Sequence, residues 1–157
     1  MVQASFKYLM TQTQVLKVQV VLAALTPQGE WSFLIFKTNK ERGQFWQNIT
    51  GHVEAGETIE DAAIREAKEE SALPIDAIVE FESLGLTHQF VDRRKKKVIE
   101  HSFLIVLEAQ WKPTIDAHEH EDWKWVVMSE VHQDIVEWPS NFEALQKSVS
   151  LLKRMGA

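Results

Sequence analysis

The feature that most restricts this chain is the stretch from Gly51 to Leu73, GHVEAGETIEDAAIREAKEESAL. Thr58 stands as an N-cap with Asp61 three residues later, and Ala62, Ala63, Ile64 and Ala67 are helix formers, which predicts a helix over Thr58 to Ser71 that Pro74 ends. On that helix Glu66, Glu69 and Glu70 stand at i, i+3 and i+4, so their side chains project from one face. Like charges so placed repel by roughly a few tenths of a kcal/mol per pair, and by more where water is excluded. Selection for stability alone would alternate the signs. By itself the EAKEE string also reads as an ordinary solvated acidic face. Its setting weighs the other way: Arg65 directly precedes the first of these glutamates, Glu57 stands eight residues before Arg65, and Gly51 and Gly56 flank Glu54 in the preceding loop. Arg65 and Glu57 form an opposite-charge pair able to lock the loop against the helix. A hard divalent cation with oxygen ligands would neutralise the acidic face, with substrate phosphates completing a Mg²⁺ shell.

At 157 residues the chain is long enough to bury a core, and one domain over residues 1–157 is expected. Without cysteine there is no disulfide framework, thiolate zinc site or cysteine nucleophile. The formal net charge of -6 argues against binding a nucleic-acid polymer, which draws its affinity from Lys and Arg. The opening Met1 to Met10 is mixed in character, and no apolar run approaches the roughly 20 residues of a membrane span, so a cytoplasmic protein without membrane contact is expected.

Along the chain, Gln14 to Leu25 reads as a strand ending at the turn-forming Thr26, Pro27, Gln28 and Gly29, and Trp31 to Phe36 as its hairpin partner. Phe45 to Val53 reads as a short extended piece leading into the glycine loop. Ile75 to Leu86 and Lys97 to Leu107 are further strands joined across the charged Asp92 to Lys97, and Trp123 to Val127 alternates as a half-buried strand does. Phe142, Leu145, Val149 and Leu152 recur at helical spacing, which predicts a terminal helix over Asn141 to Lys153.

Gly51, five residues, Glu57, seven residues, Arg65 and Glu66, then Glu69 and Glu70 with Leu73 beyond, resembles the signature of the Nudix hydrolase family. The resemblance implies an α/β fold, an α/β/α sandwich around a mixed β-sheet. It also implies Glu66, Glu69 and Glu70 as metal ligands for Mg²⁺, with Mn²⁺ as a substitute, and Glu57 with Arg65 as a bracing pair. The backbone near Thr50 and Gly51 belongs to the same site in this family. One position departs: Ala72 stands where the family usually has glycine. A left-handed alanine costs about 1 kcal/mol, so a differently built helix end is expected.

The family often adds an acidic residue from a downstream loop, and Glu119 in HEHEDWKWV is the choice here, although the same segment also reads as an acidic surface turn. FWQNITGHVEAGET, EHEDWKWV and EWPSNFEALQ are similar to the layout of the dihydroneopterin triphosphate pyrophosphatase branch, also described as dATP pyrophosphohydrolase, which lacks the signature glycine too. Lys17 and Lys37, at strand ends near the loop, are expected to touch substrate phosphates. Trp46 and Phe90 are expected in the core, with stacking on a base or pterin ring as the other reading. Arg93 to Lys97 reads as a solvated hairpin tip. The resemblance implies magnesium-dependent hydrolysis of a diphosphate linkage in a nucleoside or pterin triphosphate, a small nucleotide-like substrate. Nucleoside diphosphate sugars and dinucleoside polyphosphates stay open as substrates, as do a binding module without catalysis and a homodimeric assembly.

Overall fold

The Val- and Leu-rich opening stretch becomes the hub of the sheet. The computed structural model describes residues 14–156, so the reading of Met1 to Met10 falls outside it. Strand β1 (Val15–Leu25) runs parallel to β6 (Lys97–Leu107), with Val15 opposite Val98 and Ala24 opposite Leu107. On its other side β1 changes partner midway. Lys17 to Val20 pair antiparallel with β4 (Ile49–His52), and Leu22 to Leu25 pair with β2 (Trp31–Thr38) in the anticipated hairpin. β3 (Trp46–Gln47) and β7 (His120–Val127) attach to β2, and β5 (Ile78–Val91) pairs with β6, giving a seven-stranded mixed sheet.

Helix α1 (Ile59–Ser71) covers one face and α2 (Pro139–Met155) the other. Val18, Val20, Leu22 and Ala24 of β1 join a core with Ala62, Ala63 and Ala67 of α1, whereas Val21 and Ala23 join a second core with Ala144, Leu145 and Leu152 of α2. Burial on both faces explains why Val18 to Ala24 does not alternate as a half-exposed strand would. The three alanines bring α1 close to the sheet. The result is an α/β/α sandwich.

Several boundaries move for identifiable reasons. Ile75–Ala77 forms a 3₁₀ turn after Pro74, so β5 begins at Ile78, and it continues to Val91 because its end pairs with Lys97 of β6. The stretch Phe45 to Val53 divides into β3 and β4 at Asn48, whose buried side chain donates to Gln19 Oε1 at 2.8 Å and whose backbone N–H donates to Asn141 Oδ1 at 2.7 Å. α2 starts at Pro139, where a missing N–H removes no intrahelical bond. Among the described residues no helix is long and apolar enough to cross a membrane.

The end of α1 corrects the expectation. Ala72 adopts the left-handed conformation, φ 55° and ψ 34°, and its N–H donates to the Lys68 carbonyl, the geometry glycine usually provides. The strain is tolerated because Trp111 Nε1 bonds the Ser71 carbonyl at 3.0 Å and Leu73, 3% exposed, anchors the exit. The Ala72 side chain itself is exposed and loses no packing when removed. Ala72→Gly should therefore raise stability by about 0.5–1 kcal/mol, the relief of left-handed strain less the added freedom of the unfolded chain. An unchanged or lowered urea midpoint would contradict this.

Candidate functional site

Thr58 caps α1 by accepting the Asp61 N–H at 3.1 Å, and the helix then presents its carboxylates to the loop between β4 and α1. Arg65 holds that loop. Its Nε and Nη2 donate to Glu57 at 2.7 and 2.9 Å, Nη2 also to the His52 carbonyl at 2.9 Å, and Nη1 to Glu66 at 2.9 Å and Glu69 at 3.1 Å. Glu57 also accepts the Glu54 N–H at 3.0 Å. These bonds hold Glu57 down at about 2, the Arg65 contact contributing most. The same contacts keep Arg65 more firmly protonated than usual.

Gly51 lies directly beneath the Glu66 carboxyl. A Cβ there would fall 2.0 Å from Glu66 Cδ, so only glycine lets this strand pass under the carboxylate. Burial raises the Glu66 pKa, against the lowering effect of Arg65. One turn on, Glu70 is 5% exposed and its Oε2 has no hydrogen-bond partner among the described residues. Burial first, then the charges of Glu66 and Glu119, push Glu70 up to about 10.

Glu119 arrives from the turn that leads into β7. The Asn39 N–H donates to the Glu119 carbonyl at 3.0 Å, the Asn39 side chain donates to the Ala117 carbonyl at 3.1 Å, and Arg42 lies 3.6 Å from the Glu119 carboxylate. One ligand atom each of Glu70, Glu119 and His120 lie within 4.8 Å of one another. His120 is not singled out by the sequence, in which the six histidines show no ligand spacing that improves on oxygen coordination and HEHED reads by its acidic character. Nor is Arg42, being hidden in a polar linker. Their signal lies in pairing: Thr38 stands opposite His120 in the β2–β7 ladder, which brings the 39–42 turn beside Glu119.

The other candidates divide. Glu69, with a side chain 57% exposed, turns to Arg65 and does not join the Glu70 group. Lys37 also stands apart. Phe36 packs toward α1, so Lys37 points to the α2 face, but it pairs with Glu121, its ammonium 3.6 Å from that carboxylate, and does not line the cleft on that face. Lys17 and Thr50 line a cleft of 780 Å³ on the α2 face, together with Phe90, Arg93, Glu100 and Trp138. Thr50 donates to Glu100 Oε2 at 3.1 Å, and burial raises the Glu100 pKa. Phe90 is not core: it is 43% exposed and Trp138 48%. Trp46 packs against the α2 core, with the Lys124 ammonium 4.2 Å from its ring. A groove of 790 Å³ at the far end, lined by Trp31, Phe142 and Lys153 among others, contains none of the signature residues.

These residues fit a divalent cation. Oxygen donors predominate, a buried carboxylate oxygen lacks a partner, and glycine leaves room beneath Glu66. Glu66, Glu70 and Glu119 would hold the ion. Two outcomes follow. Because burial and the charges of Glu66 and Glu119 push the Glu70 pKa up to about 10, a cation is expected to displace a proton there at neutral pH. Titration calorimetry at pH 7.5 in buffers of different ionisation enthalpy should show release of about one proton per site, with affinity rising as pH rises. Binding with no proton released would contradict the charge arrangement. Gly51→Ala should force the Glu66 carboxyl aside and weaken Mg²⁺ binding about tenfold or more, with far-ultraviolet dichroism unchanged. Retained affinity would show that Glu66 is not a ligand.

Comparison with known proteins gives the family. The model of the NUDIX domain family matches residues 15–147. The chain is 30% identical over 120 residues to dihydroneopterin triphosphate diphosphatase of Haemophilus influenzae, covering 70% of this chain and 74% of that one. It is 32% identical over 111 residues to an octanoyltransferase of Myxococcus xanthus, covering 68% of this chain but spanning only 30% of that protein's length. The structure of the Escherichia coli dihydroneopterin triphosphate pyrophosphohydrolase superposes with a TM-score of 0.71 at 24% identity, over 87% of this chain and 95% of that one. With the glycine loop, the braced helix and the two-faced sheet already in place, the match over residues 15–147 means that the chain belongs to the NUDIX family.

Proposed function

We propose that this Nudix hydrolase cuts the diphosphate linkage of a nucleoside triphosphate or pterin triphosphate, releasing a monophosphate and pyrophosphate. The observation that carries the reading is the convergence of buried Glu70 with Glu119, one turn from a Glu66 held over Gly51. Mg²⁺, or Mn²⁺ in its place, would be held by Glu66, Glu70 and Glu119, and supplies neutralisation of phosphate charge and a lowered pKa for water. Glu69 serves through Arg65 rather than as a ligand in the first instance.

The chain's own residues do the rest. Arg65 and Glu57 keep the loop and helix in register, so the carboxylates need not reorganise during the reaction. β4 joins the two halves of the site: Thr50 faces the cleft, and Gly51 beside it faces Glu66. Phe90 and Trp138 offer apolar faces to a planar ring, and Lys17 and Arg93 offer positive charge to the phosphates. A water oxygen forms the new bond to phosphorus as the bridging oxygen departs with pyrophosphate, and the water's protons pass to solvent. The similarity to the Haemophilus diphosphatase favours the triphosphate over dinucleotides and sugars. The reading places the enzyme in the cytoplasm, with a small molecule as its partner.

Glu70→Gln should lower turnover by at least about 10²-fold while the thermal melt stays cooperative. Products from a panel of nucleoside and pterin triphosphates, nucleotide sugars and dinucleoside polyphosphates should be identified by mass. A variant that keeps near-normal rates would overturn the carboxylate assignment. Preferred cleavage of sugars or dinucleotides would overturn the substrate class.

A further inference from the structure

His120 stands beside two carboxylates, and the reading above gives it no task. It opens β7, is 2% exposed, and packs its ring on Phe36 with centroids 5.2 Å apart. Its backbone N–H is tied to the Asp116 carbonyl at 2.8 Å. Nδ1 is buried with no hydrogen-bond partner among the described residues, as is Glu70 Oε2. A buried polar atom left unpaired is costly, and an aromatic or aliphatic side chain would fill the space against Phe36 without that cost. His120 and Glu70 each carry a buried unpaired polar atom and each offer a donor atom to one cluster with Glu119, a combination that calls for a ligand.

The separations suit an ion. Ligand atoms on opposite sides of a divalent metal, each about 2.0–2.2 Å from it, lie about 4–4.5 Å apart. One atom each of Glu70, Glu119 and His120 lie within 4.8 Å of one another, so small side-chain movements bring all three onto one centre. The elements that carry them are firmly held: α1 by its alanine-lined core, and β7 by its ladder with β2.

We propose that His120 is a direct nitrogen ligand, which with Glu70 and Glu119 makes a mixed nitrogen–oxygen position that favours first-row transition cations over Mg²⁺. The inference rests on the carboxylates being the metal site, and it changes what that site selects. Magnesium keeps to oxygen donors and gives up its waters reluctantly, whereas imidazole binds the later transition ions well. One histidine in the set shifts preference toward them, and the enzyme would take Co²⁺ ahead of Mg²⁺ at equal concentration.

Pulsed electron paramagnetic resonance of the full chain loaded with Mn²⁺ tests this without turnover. The wild-type spectrum should carry ¹⁴N modulation of an imidazole, which changes to the ¹⁵N pattern when histidine is labelled and disappears in His120→Gln. In calorimetry, that variant should lose about tenfold of the Co²⁺ over Mg²⁺ preference. Bound Mn²⁺ without nitrogen modulation, or modulation that persists in His120→Gln, overturns the role of His120 alone. Failure of any Mn²⁺ to bind overturns the carboxylate site, and the inference with it. Should the variant not fold, the labelled wild-type spectrum still decides, because α1 carries no histidine and the five others lie off the Glu70 group.

Discussion

The bond pattern of Arg65 is the constraint on which the rest of the site depends. A guanidinium is a planar fork with five N–H donors, and here it spans Glu57, Glu66, Glu69 and the His52 carbonyl. A lysine ammonium, a point charge with three donors, could not brace a loop and two helix carboxylates together. Arg65 also sets a limit on compensation: it reaches Glu66 and Glu69 but makes no bond to Glu70. The least compensated carboxylate is therefore the most buried one. That asymmetry gives the site its demand for positive charge, and it is electrostatic before it is chemical.

The sheet turns this local device into a two-sided site. β1 exchanges β4 for β2 halfway along, so β4 is short and ends at the glycine loop. Along β4 the side chains alternate, and one step from Thr50 to Gly51 passes from the cleft to the carboxylates. A buried polar network holds the far side in place. Gln19 donates to Ser102 at 3.1 Å, Asn48 bonds Gln19, and Asn48 also meets Asn141 at the start of α2. Such a network fixes one docking of α2, since a slipped helix would strand several buried polar groups.

Much of this was legible from residues alone because it is local. The helix, its Thr58 cap, the shared face of the glutamates and the β1–β2 hairpin depend on spacings of a few residues. The end of α1 was misjudged. A left-handed alanine is costly by itself, and only the anchoring of Ser71 and Leu73 makes it tolerable. Lys37 meets the same face as the cleft, and its pairing with Glu121 becomes visible only once the β2–β7 register is known. His120, Arg42 and Trp138 are not singled out by the sequence for a related reason: each gains its meaning from a neighbour far away along the chain.

The sequence by itself determined that three carboxylates would share one helical turn beside an arginine and a glycine loop, because helical periodicity and backbone permissiveness are properties of short segments. Only the tertiary structure decided which of those carboxylates is stripped of water, that Glu119 and His120 meet Glu70, and that Glu69 does not. Desolvation and convergence are set by the packing of α1 and the β2–β7 register, and neither can be computed from spacing along a chain.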